Sequence, residues 1–415
     1  MSATQRIEEL VGAAGLGTLP ALPGIPVLAP ASTEEAAELL RCASSEGLRV
    51  ALCGGGSKLG WALQAETPEV AISTRRLDAV VEFEPGDGVL TAGAGARLST
   101  LMELAAAEGL ELTPDVPRPD RATLGGVLGA GQSGPDRLGH GPLRNQLLGT
   151  RSIQLPGTVT RSGGRLVKNV SGYDAHRLLT GSHGSLALVI EASLRLATAP
   201  EERVVITSAH AELASALEAA GRLRASGIGP RTLTVENSLG SAWRLHAVLA
   251  GRAGHVARVR ERASAILGGE LECLEGAAAR ERCVALRDLE PDGSSRPALR
   301  LTAAPTRLAA TLEALQAQLG PREEQRLLIQ PGVATIDLEP GQAAELELAA
   351  CLAPLRRALR PLGATAQLRL AAPGRSADLA DTEVDPTRLA LQQRLRSTYD
   401  PGSLLTLRPP LGGLR

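Results

Sequence analysis

The sequence contains very few aromatic residues. Of its 415 residues five are aromatic: Trp61, Phe83, Tyr173, Trp243 and Tyr399. Proteins that bind single-stranded nucleic acid stack the bases on such side chains, and a net charge of −1 offers no excess of positive charge to attract phosphates. The sequence therefore disfavours a nucleic-acid-binding function, and Leu, Ala and Val have to build the core.

Clusters of metal-binding residues are also missing. The five cysteines are scattered along the chain, without the C-x2-C pairs typical of zinc or iron–sulfur sites. The six histidines show no H-x-H or H-x3-H spacing. We therefore expect no metal site and no disulfide framework, but reduced thiols as in a cytosolic protein.

Long apolar runs are absent as well. No run approaches the ~18 apolar residues that a membrane-spanning helix needs. The first residues, MSATQRIEELVGAAGLG, include an acidic pair and no unbroken apolar stretch, unlike a secretory signal. We expect a cytoplasmic protein that reaches the inner membrane only through partners.

The first 200 residues show a pattern of alternating helices and strands. Ser32 followed by Glu35 predicts the start of a helix, and Gly47 its end. Apolar runs predict strands at 49–53, 69–74, 79–85 and 88–94, followed by a helix at about 99–108. Residues 113–145 contain five prolines and no sustained period, which predicts a long irregular segment with a function.

The residue composition changes after Pro200. From there on, predicted helices rich in Ala, Leu and Arg alternate with predicted strands such as RVVITSA, RTLTVEN and RLLIQP. This change predicts a division of the chain into a first domain at 1–199, a second α/β domain at 200–385, and a C-terminal helix and tail at 386–415. Within the first domain we predict two subdomains, at about 1–85 and 86–199.

Glycine is concentrated in two clusters, ALCGGGSKLGW at 51–61 and a longer stretch between 123 and 191. Each cluster adjoins predicted strands, which favours one extended ligand held at several points. GAGQSG (129–134) matches G-x-G-x-x-G but lacks the preceding strand of a dinucleotide-binding motif, and GGGSKLG lacks the P-loop spacing. Lys58 beside three backbone amides could face a phosphate, and a plain tight turn is an equally good interpretation.

Three longer motifs are more specific: ATLGGVLGAGQSGP, RNQLLG at 144–149, and GRLVKNVSGYDAHRLLTGSHGSL. Together they resemble the vanillyl-alcohol oxidase/p-cresol methylhydroxylase (PCMH) flavoprotein superfamily, and within it the FAD-binding E-subunit family of bacterial glycolate oxidase. The resemblance covers about 25–200 and the C-terminal LRSTYDPGSLL.

The resemblance implies an α+β fold with a two-subdomain PCMH-type FAD-binding domain and a smaller α/β cap domain. It implies FAD as the cofactor, and contacts to its pyrophosphate and ribityl chain from two segments. These segments comprise Gly54, Gly55, Gly56, Ser57 and Lys58, and then Thr123, Leu124, Gly125 and Gly126.

The resemblance also implies contacts at both ends of the cofactor. Gly131, Ser133 and Gly134 would let the backbone approach the flavin edge, Pro114 and Asp115 would lie beside the cofactor, and the backbone around Ile190 would meet the adenosine. Lys168, Asn169 and Gly172 of the KNVSGYD motif would lie near the flavin pyrimidine, where a donor stabilises the reduced form. A polar turn between a hairpin and a helix remains an alternative for this last motif.

The function implied is that of the FAD-binding subunit of a glycolate (2-hydroxyacid) oxidase or dehydrogenase complex, an FAD-dependent oxidoreductase acting on CH–OH groups. Its partners would be a larger FAD-binding sister subunit, an iron–sulfur subunit and a small 2-hydroxyacid. The sequence offers no recognisable base or metal cluster, so no residue is assigned a catalytic role. A non-catalytic FAD-binding scaffold and a stand-alone FAD-dependent alcohol oxidase remain alternatives.

Overall fold

The computed structural model describes residues 3–165, 173–237, 242–290, 297–319, 326–339, 345–370, 374–375 and 386–409. Their strands form three main sheets, each covered by helices, so the predicted α+β fold is confirmed. No helix in this part of the chain combines the length and the apolar character needed to cross a membrane.

The first sheet has the strand order β1-β2-β5-β3, in which β2, β5 and β3 run parallel. Its strands, together with β4 that lies outside it, are β1 Leu16–Gly17, β2 Val27–Leu28, β3 Val50–Cys53, β4 Leu63–Gln64 and β5 Val70–Ser73. The neighbouring helices are α1 Ala3–Glu9, α2 Gly12–Gly15 and α3 Thr33–Ser45.

Helix α3 begins where the sequence predicts. The Ser32 hydroxyl accepts the N–H of Glu35 at 3.1 Å, and the Glu35 carboxylate accepts the N–H of Ala31 at 2.6 Å. Two of the unpaired donors at the helix start are thereby satisfied. The buried side of α3, which includes Leu39 and Leu40, then packs on β3 and β5.

The second sheet is antiparallel, with the order β10-β9-β11-β7-β6. The strands of this region are β6 Val80–Glu84, β7 Val89–Gly93, β8 Leu110–Glu111, β9 Leu147–Gln154, β10 Thr158–Gly163, β11 Leu188–Arg195 and β12 Ala197–Thr198, with β8 and β12 forming a separate pair. The helices are α4 Leu98–Ala107, α5 Leu124–Ala130, α6 Arg137–His140 and α7 Ala175–Leu178.

The expectation that residues 113–145 are irregular throughout is wrong, because α5 and α6 lie within them. Helix α5 has the sequence LGGVLGA, whose glycines give it a poor intrinsic helix propensity. Three buried side chains, Leu124, Val127 and Leu128, anchor it in the core beneath the second sheet. Tertiary packing, which a local pattern does not reveal, therefore stabilises this helix.

The third sheet has eight strands in the order β16-β13-β15-β14-β18-β19-β17-β20, all antiparallel. Its strands are β13 Glu202–His210, β14 Thr232–Asn237, β15 Trp243–Gly251, β16 Leu271–Glu275, β17 Ala298–Thr302, β18 Arg326–Gln330, β19 Thr335–Glu339 and β20 Thr365–Arg369. The helices are α8 Leu213–Ala225, α9 Ala253–Leu267, α10 Gly276–Asp288, α11 Leu308–Leu319 and α12 Glu345–Leu359.

Alternation along these strands gives the third sheet two different faces. Leu299, Leu301 and Leu338 belong to a large apolar core shared with the helices α8, α9, α11 and α12. The residues between them, Arg300 and Asp337, therefore point to the opposite face. That face carries buried charges.

The C-terminal segment returns to the first sheet. It consists of β21 Gly374–Arg375, α13 Pro386–Tyr399 and β22 Leu407–Arg408, and both β21 and β22 pair with β4. Val50 of β3 donates its N–H to the Leu404 carbonyl at 2.8 Å. The buried Asp400 carboxylate accepts the N–H groups of Leu404 and Leu405 at 2.8 and 2.9 Å.

Replacing Asp400 with alanine is expected to lower the free energy of unfolding by about 1–3 kcal/mol, since two buried N–H groups lose their acceptor. Denaturant unfolding measures this loss. The control is Asp87→Ala in an exposed turn, where a change within about 0.5 kcal/mol is expected. Equal effects of the two substitutions would contradict this role of Asp400.

Candidate functional site

The two glycine clusters lie against each other, and one hydroxyl joins them. Thr123 precedes α5, and its Oγ1 accepts the N–H of Gly126 at 3.3 Å as the cap of that helix. The same oxygen accepts the N–H of Gly55 at 3.2 Å, across 68 residues of chain. The glycine loop of residues 54–58 is thereby attached to the start of α5.

The glycine loop, α5 and a third segment line one cleft with an open volume of about 660 Å³. The third segment comes from the turn before β11. The residues that the three segments contribute are 54–58, Gly125, Gly126, Gly129, Ala130, 182–184 and 187–189.

The glycines at the meeting point leave no room for a side chain. A Cβ on Gly54 would lie 2.2 Å from Thr123 Oγ1, and one on Gly125 would lie 2.7 Å from the Ala94 Cβ. Gly56 has a φ of +84°, a backbone conformation that favours glycine. The absence of a side chain at Gly54 is therefore a condition for the loop and α5 to approach each other, and its absence at Gly125 lets α5 pack on the residue after β7.

Polar groups of the cleft are suited to an anion. In the described part of the chain no acceptor is found for the N–H of Gly56 or of Ser57. The side chain of Lys58 is largely buried here, with Nζ 3.4 Å from the Ser57 hydroxyl. A pyrophosphate removed from water needs several such donors, so the residues present fit the phosphates of a dinucleotide.

Two titratable groups of the cleft stay neutral near pH 7. Burial raises the pKa of Cys53 to about 12, despite the opposing effects of Ser73 and Arg75. Burial and the positive charge of Arg369 lower the pKa of His183 to about 4. Neither a thiolate nor an imidazolium is therefore offered to a ligand at this pH.

The structure brings together many of the residues predicted from the sequence. Gly54, Gly55, Gly56, Ser57, Lys58, Gly125 and Gly126 line the cleft. Thr123 joins the two segments, whereas Leu124 is buried in the core of the second sheet. Ile190 packs in the core beneath α3, and the three residues before it, 187–189, line the cleft instead.

Five other predicted residues do not line this cleft. Gly131 ends α5 and packs on the backbone of Gly181. Ser133 accepts the N–H of Leu143 at 2.9 Å. A Cβ on Gly134 would lie 1.9 Å from the carbonyl oxygen of Asp115, so the chain around Pro114 and Asp115 packs tightly on it.

Asp115 borders a second cavity, walled by α4, β8 and α10. Its carboxylate accepts the N–H of Asp136 at 3.1 and 3.2 Å. The Asp136 carboxylate in turn accepts Nε of Arg231 at 2.5 Å. Lys168, Asn169 and Gly172, which were also predicted, lie outside the described residues.

Sequence reasoning missed the turn at Ser182, His183 and Gly184, which lines the cleft opposite the glycine loop. His183 has a φ of +52° and Gly184 one of +73°. The signal was present in the sequence, since GSHG is a glycine-bounded turn directly before an apolar strand. The turn is more than 120 residues away from the glycine loop in the sequence, so the sequence did not indicate that the two line one cleft.

Comparison with known proteins agrees with this geometry. Residues 25–163 match the model of the FAD binding domain family. This part of the chain is therefore an FAD-binding domain, and FAD is its cofactor. The matched residues include both the glycine loop and α5.

Three curated relatives are similar to parts of the chain. An uncharacterized FAD-linked oxidoreductase of Mycobacterium tuberculosis is 31% identical over 245 residues, 55% of this chain and 53% of that protein. A D-lactate dehydrogenase of Archaeoglobus fulgidus is 31% identical over 41% of this chain and 38% of its own length. The glycolate oxidase subunit GlcE of Escherichia coli is 37% identical over 29% of this chain and 35% of its own length.

The chain thus spans about half or less of the length of these relatives. Among solved structures, an alkyldihydroxyacetonephosphate synthase has a similar fold, with a TM-score of 0.70 and 16% identity. The superposition covers 92% of this chain and 76% of the synthase. At this identity the likeness concerns the fold alone.

The carboxyl group of Asp115 is expected to make stability depend on pH. Burial and the neighbouring Asp136 carboxylate raise the pKa of Asp115 well above its usual value. A raised carboxyl pKa gives stability that is present below the unfolded-state pKa and is lost as the pH rises through the folded-state pKa. Asp115→Asn, which is neutral at every pH, is expected to remove this loss, and urea unfolding from about pH 4 upward, where the unfolded-state carboxyl begins to ionise, measures it.

The control for Asp115 is Asp78→Asn, because Asp78 is exposed. This variant should keep the pH dependence of the parent protein. If Asp115→Asn loses stability with rising pH as steeply as the parent, the carboxyl of Asp115 is not the group responsible.

Proposed function

We propose that this chain, with its FAD-binding domain at residues 25–163, is the FAD-binding subunit of a complex that oxidises glycolate or a similar small 2-hydroxyacid. The observation that carries the proposal is the contact of the two glycine clusters through Thr123 Oγ1, at 3.2 and 3.3 Å, beside one cleft. The similarity to a D-lactate dehydrogenase and to a glycolate oxidase subunit supports the substrate class.

In this proposal the cleft residues bind and orient the cofactor. The N–H groups of Gly56 and Ser57 would donate to the pyrophosphate, and the Lys58 ammonium would balance its charge. The apolar residues 187–189 on the opposite wall would exclude water from the adenosine. When bound, the flavin would accept two electrons from an alcohol and release them to a one-electron acceptor.

Oxidation of a hydroxyacid also needs a group that accepts the hydroxyl proton. Among the described cleft residues, the thiol of Cys53 keeps its proton and His183, with a pKa of about 4, is a weak base. Because neither side chain is a good base, we favour a complex in which a larger FAD-binding sister subunit oxidises the acid. In that complex this chain would pass electrons towards an iron–sulfur subunit. The second domain at 200–385 and the tail at 386–415 would then cover the cofactor.

A substitution of Gly129 tests the position of the cofactor. A Cβ at Gly129 meets no atom within 4 Å, and the residue lines the cleft. Gly129→Ala is therefore expected to stabilise the cofactor-free protein by about 0.5–1 kcal/mol, as alanine does in a helix, while FAD affinity falls by about tenfold or more. Thermal unfolding and FAD titration followed by flavin fluorescence measure the two effects.

The matched control is Gly221→Ala in α8, where a Cβ also meets open space. It should give a similar gain in stability with unchanged FAD affinity. Equal FAD affinities for both variants would mean that the cofactor does not occupy the space beside Gly129.

The activity is tested with the purified, FAD-loaded chain under anaerobic conditions. Glycolate or lactate added to the chain alone should leave the visible flavin absorbance unchanged, and addition of the sister and iron–sulfur subunits should bleach it. Bleaching of the chain alone would indicate an autonomous dehydrogenase, and peroxide release in air a stand-alone oxidase. A flavin that stays oxidised in the full complex would indicate a structural cofactor.

A further inference from the structure

A buried group of charges lies on the face of the third sheet opposite the helices α8, α9, α11 and α12. Arg300 of β17 and Asp337 of β19 are direct cross-strand partners. The guanidinium Nε and Nη2 of Arg300 donate to both carboxylate oxygens of Asp337, each at 2.6 Å. Asp337 is fully buried, so this two-pronged pair is complete within the sheet.

The sheet contributes a second arginine to the same place. Arg369 of β20 is 2% exposed, and its guanidinium lies 3.6 Å from the ring centre of Trp61. Burial and the charge of Arg300 lower the pKa of Arg369 to about 10, so the side chain is still protonated at neutral pH. Two arginines and one aspartate leave the sheet with one buried positive charge.

Glu290 neutralises this charge from outside the sheet. It follows α10, and its side chain is fully buried. Its Oε1 accepts Arg369 Nη1 at 3.2 Å and Gln132 Nε2 at 3.3 Å, and it lies 2.7 Å from Arg300 Nη2. The other oxygen, Oε2, is buried without a hydrogen-bond partner among the described residues.

The arginine pair adjoins the end of the FAD cleft. Trp61, which lies under Arg369, follows the glycine loop by three residues. Gln132 belongs to GAGQSG, directly after α5, and its own Oε1 is also buried without a partner in the described chain. His183, which lines the cleft, experiences the charge of Arg369.

We propose that Arg300 and Arg369 form a binding site for the carboxylate of a small acid, and that Glu290 occupies this site as an internal ligand. The Glu290 carboxylate stands in for the carboxylate of the acid, so the site is closed to external acids while Glu290 is in place. The binding itself is independent of the proposed function. The choice of a 2-hydroxyacid as the external ligand rests on it, because the site adjoins the cofactor cleft.

Two features distinguish this arrangement from an ordinary structural ion pair. Asp337 satisfies both of its oxygens on Arg300, as expected of a built-in partner. Oε1 of Glu290 contacts three donor groups, whereas Oε2 contacts none among the described residues. A buried carboxylate oxygen without a donor lowers the stability of the folded state. The sheet and Gln132 thus present a carboxylate site that Glu290 fills incompletely.

The test removes the internal ligand and supplies an external one. Glu290→Ala is expected to unfold at a lower temperature than the parent in chloride, and to regain stability when acetate or glycolate replaces chloride at equal ionic strength. The gain should saturate with concentration, as binding to the folded state requires. The parent protein should bind these acids about tenfold more weakly or not at all.

Tryptophan fluorescence gives a second readout, because Trp61 lies under Arg369. Titration of Glu290→Ala with acetate should change the fluorescence, and the change should disappear when Trp61→Phe is added. If Glu290→Ala does not fold in chloride, its soluble refolding yield in acetate against chloride replaces the unfolding temperature as the readout.

The control variant is Glu339→Ala, which removes a carboxylate 3.0 Å from Arg326 on the same sheet. It should show no difference between acetate and chloride. An equal response of Glu290→Ala to the two anions, or an equal response of the parent and the variant to acetate, would overturn the proposal. Each measurement is made with and without FAD, so loss of FAD binding, which would contradict the proposed function, is seen separately.

Discussion

The hydroxyl of Thr123 is the interaction on which the candidate site depends. It holds the N–H of Gly55 and the N–H of Gly126 at once, at 3.2 and 3.3 Å. Each bond taken alone is worth about 1 kcal/mol. Their shared acceptor fixes the distance between the first sheet, from which the glycine loop starts, and the helix α5 beneath the second sheet. The cleft lies beside this contact.

Buried charge is treated differently in the two parts of the molecule. The cleft keeps the Cys53 thiol and the His183 imidazole neutral, through the raised pKa of the first and the lowered pKa of the second. The face of the third sheet opposite α8, α9, α11 and α12 carries buried arginines, and the carboxylates of Asp337 and Glu290 neutralise their charge.

The sequence predicted the elements of the fold better than their long-range contacts. The start of α3 followed from Ser32 and Glu35, whose side chains act within four residues. The predicted strands at 49–53 and 69–74 agree with β3 and β5. Helix α5 escaped prediction because its glycines lower helix propensity, and buried contacts of Leu124 and Leu128 outweigh that penalty.

The glycine-rich part of the site was accessible from the sequence for a physical reason. Two backbone segments can approach closely only where side chains are absent. A Cβ on Gly54, for example, would lie 2.2 Å from Thr123 Oγ1. Such positions require glycine, and the resulting glycine clusters are visible in the sequence. The resemblance implies that Asp115 lies beside the cofactor, which stays a prediction, and the structure shows that this residue borders a second cavity.

The buried charge cluster of the third sheet left no such trace. Arg300, Asp337 and Arg369 are ordinary polar positions in alternating strands, and only the pairing of β17 with β19 and β20 brings them together. Glu290 reaches them from the end of α10 and Gln132 from the end of α5. Five residues from five separate elements thus meet at one point. Such a meeting is a property of the sheet order, and a single sequence contains no local pattern that encodes it.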